Sequence, residues 1–140
     1  MIKLLIALLL SFSPIVNALT LDVITDQPNQ IRDADRLRQQ GIAVTVYDLT
    51  AGDRMAEAMS KGLTGPDAHA LQQVQQRIAA IGRKRFEAQL KQAFQAIIQS
   101  VAYALDRHPA IVFNQGEAVV YGVTDLHTAL RFYRQWKVSQ

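Results

Sequence analysis

The sequence predicts an α/β fold in which a four-stranded mixed sheet has helices on both faces. Three observations predict it. A strand, a short helix and a second strand follow one another in residues 19–49, helical periodicity fills about 51–106, and a hairpin with a final helix completes residues 110–137. The length of 140 residues suits one domain. Hydrophobic residues at 49% and charged residues at 19% are typical of a packed globular chain.

The first eighteen residues have the pattern of a secretory signal peptide. Lys3 supplies a short basic region, residues 4–10 are an unbroken apolar run, and Val16 and Ala18 occupy the −3 and −1 positions of a cleavage site. The run is shorter than the ~20 residues that span a bilayer. We expect residues 1–18 to be removed on export, leaving one domain over 19–140 without a membrane span. A buried helix or an uncleaved anchor is the alternative.

Residues 19–49 predict two parallel strands joined by a helix. Leu19–Thr25 is rich in Leu, Val, Ile and Thr and reads as a strand, and Pro28 marks the turn after it. Gln30–Gln40 repeats apolar residues at a spacing typical of a short amphipathic helix, with Gly41 at the expected C-cap. Ile42–Leu49 is the second strand. The connection between the strands is therefore expected to be a right-handed crossover.

Residues 51–106 predict a helical insertion with two interruptions. Arg54–Lys61 is a short helix candidate, the stretch 62–65 breaks the pattern, and Pro66 suits the first position of a new helix. A single helix from there would run ~60 Å at 1.5 Å per residue, too long for this domain. We therefore expect a bend or break at Gly82. The apolar positions that carry this periodicity are Leu71, Val74, Ile78, Ile81, Phe86, Leu90, Phe94, Ile97, Val101 and Leu105.

Residues 108–137 predict a hairpin and a last helix. Pro109 ends the preceding helix, because the residue before a proline avoids helical geometry. Ala110–Phe113 is fully apolar and so is expected to be a central strand, joined by a tight turn at 114–116 to a strand over Glu117–Tyr121. Thr124 is a candidate helix cap, with Asp125 in the first turn. One face of the last helix carries Leu126, Ala129, Leu130, Tyr133 and Trp136.

This order of elements is the thioredoxin layout. In that layout a cis proline precedes the third strand beside the active-site loop, which makes Pro109 the candidate for a cis bond. A thioredoxin-like redox enzyme needs a thiolate in the loop after the first strand. The corresponding loop here is residues 25–28, and the whole chain contains no Cys. Composition therefore excludes thiol–disulfide exchange.

Three segments carry a family resemblance: Thr20–Asp26, His108–Asn114 and Val119–Asp125. They resemble integrating conjugative element proteins, which are small exported proteins of unknown biochemical activity encoded among conjugative transfer genes of Gram-negative bacteria. More remotely, the pattern is similar to TrbC-type pilus-assembly proteins, which share the thioredoxin-like arrangement. The resemblance implies a periplasmic, non-enzymatic part of the conjugative (type IV secretion) apparatus that contacts other transfer proteins.

No motif predicts a catalytic residue, a cofactor or a metal ligand. The histidines at 69, 108 and 127 lack the spacing of a helical metal site. Four carboxylates could gather near strand ends, although capping and solvated roles are the better interpretation: Asp22, Asp26, Asp48 and Asp125. A small hydrolase or metal-dependent enzyme using Asp and His is the alternative function. Nucleic-acid binding is disfavoured, because the cations at 83–85 scatter around a helix instead of forming a stripe.

The sequence also predicts where a partner would bind. In thioredoxin-like folds the cleft beside the cis proline exposes backbone groups that can pair with an extended peptide. We expect that cleft to persist as a docking platform after its chemistry has been lost. Its predicted borders are Thr25, Asp26, Pro28, His108, Pro109, Ala110, Thr124 and Asp125.

Overall fold

A computed structural model describes residues 18–140 and has the predicted α/β architecture. The elements in chain order are β1 (Thr20–Thr25), α1 (Ala34–Gln39), β2 (Ala43–Asp48), α2 (Ala51–Ser60), α3 (Asp67–Ile81), α4 (Arg83–Ala102), β3 (Ala110–Phe113), β4 (Ala118–Tyr121) and α5 (Leu126–Val138). A 3-10 turn at Pro28–Gln30 lies between β1 and α1. Apart from Ala18, the expected signal peptide lies outside the described residues and stays a prediction.

The four strands form one mixed sheet in the order β2-β1-β3-β4. β1 runs parallel to β2, with Thr20 opposite Ala43, and antiparallel to β3, with Leu21 opposite Phe113. β3 and β4 form the antiparallel hairpin. Every residue of β3 is buried, which confirms that the fully apolar strand is an interior one. This is the predicted thioredoxin-like arrangement.

The two faces of the sheet carry different helices. Leu21 and Val23 of β1 and Phe113 of β3 form the main apolar core with α1 and α5. Side chains alternate along a strand, so Asp22 and Ile24 of β1 point to the opposite face. α4 packs across β1 and β2 on that second face. Helices therefore cover both faces, as the element order predicts.

The first helix is shorter at its start than the sequence pattern indicates. It begins at Ala34, not at Gln30. The backbone N–H of Arg32 donates to the carbonyl of Thr124 at 2.9 Å, and the carbonyl of Arg32 accepts from Leu126 N–H at 3.3 Å. These bonds hold Arg32 in an extended, bridge-like pairing that is incompatible with a helical turn.

Glycine positions confirm two predicted helix ends. Gly41, with φ of +85°, follows α1, and its N–H donates to the Arg38 carbonyl while Ile42 N–H donates to the Leu37 carbonyl. This bonding pattern is a Schellman motif, which satisfies the last carbonyls of the helix. Gly82, with φ of +90°, separates α3 from α4. The expected break at this position is confirmed.

Other helix starts are set by side chains that the periodicity does not reveal. α2 begins at Ala51, earlier than the predicted Arg54, because the Asp48 carboxylate accepts from the backbone N–H of Thr50 at 2.8 Å. Pro66 is the residue before α3 and not its first residue. Asp125, and not Thr124, caps α5: its carboxylate accepts from Thr128 N–H at 2.8 Å.

A polar cluster anchors α5 to the β3–β4 turn. The Tyr133 ring stacks on Phe113 with ring centroids 4.4 Å apart, and its hydroxyl donates to Glu117 at 2.7 Å. Glu117 also accepts from Asn114 Nδ2 at 2.6 Å and forms an ion pair with Lys137. The hydrogen bonds from Lys137, Asn114 and Tyr133 lower the pKa of Glu117 from 4.5 to about 2. The cluster therefore favours the ionised carboxylate in the folded state.

Truncation in the core should destabilise the fold far more than the same truncation on the surface. We expect Ile111→Ala, at a position with no solvent exposure, to lower the free energy of unfolding by ~2–5 kcal/mol. The matched control is Ile98→Ala on α4, where the side chain is 50% exposed and the loss should be about 0.5 kcal/mol or less. Urea denaturation measures both; equal losses would contradict the assigned core.

The α5 anchor makes stability depend on pH in acid. Because folding lowers the pKa of Glu117 from 4.5 to about 2, its contribution is complete above 4.5 and disappears as the pH falls through 2. Near neutral pH, the urea midpoint of the wild-type protein should therefore be higher than that of Glu117→Gln. The difference between the two midpoints should disappear as the pH falls from 4.5 to about 2. When Lys137→Gln is present in both proteins, the difference in midpoint caused by Glu117→Gln should disappear at a higher pH. A difference independent of pH would contradict the anchor.

Candidate partner-binding surface

Three of the predicted cleft residues meet at one end of the sheet, where β1 ends and β3 begins. Ile24 is paired with Ala110, which places Thr25 beside Pro109. The His108–Pro109 peptide bond is cis, as the thioredoxin layout predicts. The structure thus brings Thr25, Pro109 and Ala110 together.

The other cleft residues divide between the two faces of the sheet. Thr124 and Asp125 lie on the α5 side and are tied to Arg32, whose N–H donates to the Thr124 carbonyl and whose guanidinium lies 3.6 Å from the Asp125 carboxylate. His108 lies on the α4 side, with Nε2 3.1 Å from the Ser100 hydroxyl. The predicted residues therefore border one end of the sheet without converging on a single point.

The loop after β1 is organised by Thr25. Its side chain is buried, and the hydroxyl accepts from Gln27 N–H at 3.0 Å. In the described chain neither the 3-10 turn nor α1 has a side-chain cap, so of the capping and solvated roles expected for Asp26 the structure shows the solvated one. Asp26 is exposed and Pro28 opens the 3-10 turn. This loop presents Asp26 to solvent and uses the Thr25 hydroxyl internally.

A cationic and aromatic pair next to Pro109 was not anticipated from the sequence. The Arg107 guanidinium lies over the Tyr121 ring, 4.9 Å from its centroid. Tyr121 is paired with Ala110 across the β3–β4 hairpin, so the pair adjoins the cleft. Arg107 and Tyr121 are far apart in sequence and meet only because β3 pairs with β4, so no local sequence pattern predicts their contact.

The aspartates have separate structural roles. Asp48 binds Thr50 and also accepts from Arg54 at 2.6 Å, and Asp125 caps α5. Asp22 accepts from the Tyr103 hydroxyl at 2.5 Å. Burial, followed by this hydrogen bond, raises the pKa of Tyr103 to about 12. Within residues 18–140, no three side chains of His, Cys, Asp or Glu lie close enough to share a metal ion.

The main exposed apolar surface lies on α4, where several large apolar side chains point away from the sheet. Leu90, Phe94, Ile97 and Val101 follow one another at intervals of four, three and four residues, so they share one face of the helix. All four are at least 40% exposed, and Val101 is 75% exposed. Together with the neighbouring exposed Ile98, we call these residues the α4 stripe.

The face of α4 that contacts the sheet carries small and polar residues. Ala96 is 2% exposed, and Ser100 is half-buried. Below them the sheet presents Asp22 and Tyr47, which line a polar groove of about 340 Å³ together with Tyr103. The same sheet face also carries the fully buried Ile24 and Val112, so the small face of α4 meets a mixed polar and apolar surface. α2 and α3 pack on α4 as well, with the Phe94 ring against Gly52 of α2, and the rest of the apolar face of α4 is exposed.

The sequence showed the periodicity of the stripe but not whether the stripe faces the sheet or the solvent. An amphipathic helix normally buries its apolar stripe, so these positions predict a helix packed by that face. The signal that could have indicated the reverse is the run of small residues at Ala93, Ala96 and Ser100, which permits a close approach to the sheet. On α5, Trp136 lies near the end of the helix and is 38% exposed.

No helix between residues 18 and 140 combines the length and the apolar character needed to cross a bilayer.

Comparison with known proteins gives one family match. A family model described as "Protein of unknown function (DUF1525)" matches residues 19–139. Neither the curated proteins nor the solved structures give a match to the chain. The matched range covers all the strands and helices named above.

The orientation of α4 can be tested with one introduced side chain at two positions. Val101→Gln replaces an exposed side chain and should change the free energy of unfolding by no more than about 0.5 kcal/mol. Ala96→Gln forces a larger polar side chain against the sheet and should lower it by ~1–3 kcal/mol. Urea denaturation compares them, and a larger loss from Val101→Gln would show that α4 faces the other way.

Proposed function

The chain belongs to the DUF1525 family of proteins of unknown function, and we propose that it is a non-enzymatic periplasmic component of a conjugative transfer apparatus that acts through protein–protein contacts. The observation that carries the binding role is the α4 stripe. Contiguous exposed apolar side chains on a folded domain mark interaction surfaces, because water contact with them is unfavourable. Binding a partner would remove this surface from water.

A binding role also agrees with the chemistry available to the chain. Its 140 residues contain no Cys, so the reaction performed by thioredoxin-like redox enzymes is excluded. At the end of the sheet where those enzymes hold their reactive group, the Thr25 hydroxyl accepts from Gln27 N–H. Nearby, the Asp125 carboxylate caps α5. These groups stabilise local structure, which favours a docking surface over a reaction centre.

The proposed system rests on sequence resemblance. His108–Asn114 and Val119–Asp125 resemble integrating conjugative element proteins, and these segments form β3, β4 and the approach to α5. The signal-peptide pattern of residues 1–18 supports a periplasmic location. The partners would then be other proteins of the transfer apparatus. The cleft beside Pro109 would be a second contact surface of the same function.

Conjugative transfer should depend on the protein and on its stripe. In a donor lacking the gene we expect wild type to restore transfer and Ile97→Asp with Val101→Asp to restore it at least tenfold less well, because a partner would have to desolvate two carboxylates. The matched control is Leu71→Asp, an exposed leucine on α3 outside the stripe. A double variant at Asp26 and Pro109 tests the cleft in the same assay.

The same strains test location. The chain recovered from the periplasm should begin at Leu19 by mass spectrometry. Normal transfer from the donor lacking the gene, or a cytosolic protein that retains residues 1–18, would refute the proposed function.

A further inference from the structure

The α4 stripe has the spacing of a helix-pairing seam. Intervals of four, three and four residues between Leu90, Phe94, Ile97 and Val101 are those of two consecutive heptads with apolar first and fourth positions. The four side chains extend over ~17 Å of helix at 1.5 Å per residue. A seam of this width and length fits one partner helix, which docks through a few apolar anchors spaced along one face.

The charges beside the stripe are mostly positive. α4 contains four cations, Arg83, Lys84, Arg85 and Lys91, and one acid, Glu87. Lys91 is exposed and lies at the edge of the stripe beside Leu90. Lys84, also exposed, continues that edge one heptad before the stripe begins, with Glu87 between the two lysines. The opposite edge carries Ala93 and Ser100, which are half-buried. A partner helix that covers the stripe would therefore face Lys91, and one that continues a heptad further toward Gly82 would also face Lys84.

A second copy of this chain lacks the matching charges. The edge positions of a paired α4 would hold Lys84, Lys91 and Ile98 on one side and Phe86, Ala93 and Ser100 on the other, with no carboxylate among them. Charge pairs at the edges of a helix seam select the partner. The absence of a carboxylate at these edge positions favours a different protein over a second copy.

We propose that the α4 stripe binds an amphipathic α-helix of another protein, with carboxylates facing Lys84 and Lys91. This inference rests on the proposed protein-contact function and specifies the chemistry of the partner. Apolar anchors of the partner contact the exposed parts of Leu90, Phe94, Ile97 and Val101, while the Phe94 ring keeps its contact with Gly52 of α2. Ion pairs along one edge set the choice of partner and weaken as salt screens them.

The test uses the purified protein and two synthetic helical probes. Both are stapled peptides of three heptads with the same Leu and Ile seam; one has Glu at the edge positions and the other has Lys. We expect fluorescence anisotropy to show the Glu peptide binding at least tenfold more tightly at low salt, with the difference shrinking at high salt. Lys84→Glu with Lys91→Glu should reverse the preference.

Matched variants separate the stripe from the rest of the surface. Ile97→Asp with Val101→Asp should lose binding of both peptides while retaining the wild-type circular dichroism spectrum. Leu71→Asp on α3 should bind as wild type does. The charge-reversed variant keeps the apolar seam intact, so it tests the same proposal if the aspartate variant fails to fold.

Several outcomes would overturn the proposal. Equal binding of the two peptides, or no binding of the Glu peptide, would do so. A wild-type dimer in sedimentation velocity that becomes monomeric in the stripe variant would assign the surface to a second copy. Stripe-dependent sedimentation with phosphatidylglycerol vesicles, without peptide discrimination, would assign it to lipid. These measurements use purified components, so their failure is distinct from a failure of the transfer assay.

Discussion

The pairing of β1 with β2 on one side and with β3 on the other positions the rest of the molecule. β1 is interior to the sheet, so its alternating side chains define two different surfaces. Leu21 and Val23 build the apolar core with α1 and α5, whereas Asp22 points to the α4 side and accepts from Tyr103. Apolar burial stabilises the domain on both faces, and the α4 side differs in combining the buried Ile24 and Val112 with the polar Asp22.

The consequence for function follows from that asymmetry. Because the sheet surface under α4 includes Asp22 and Tyr47, burying the large apolar side chains of α4 there would leave polar groups without partners. The small face of α4, centred on Ala96, packs instead. The α4 stripe therefore lies on the side of the helix turned away from the sheet, where α2 covers part of Phe94.

Much of the fold followed from local patterns. The fully apolar Ala110–Phe113 had to lie inside the sheet, and Gly82 marked the division between α3 and α4 because its positive φ is unfavourable for other residues. The start of α1 could not be predicted, since Arg32 is held extended by backbone bonds to Thr124 and Leu126, more than ninety residues later in the chain. The cleft was predicted as a set, yet its residues divide between the two faces of the sheet.

The sequence by itself determined the absence of thiol chemistry, the order of strands and helices, and the helical character of residues 83–102. Only the tertiary structure decided which face of α4 meets the sheet. Periodicity shows that a helix has an apolar face, but the surface it packs on depends on strands from distant parts of the chain. Here α4 packs on the partly polar surface of β1 and β2, with Ala96 buried in the contact and Val101 exposed to solvent.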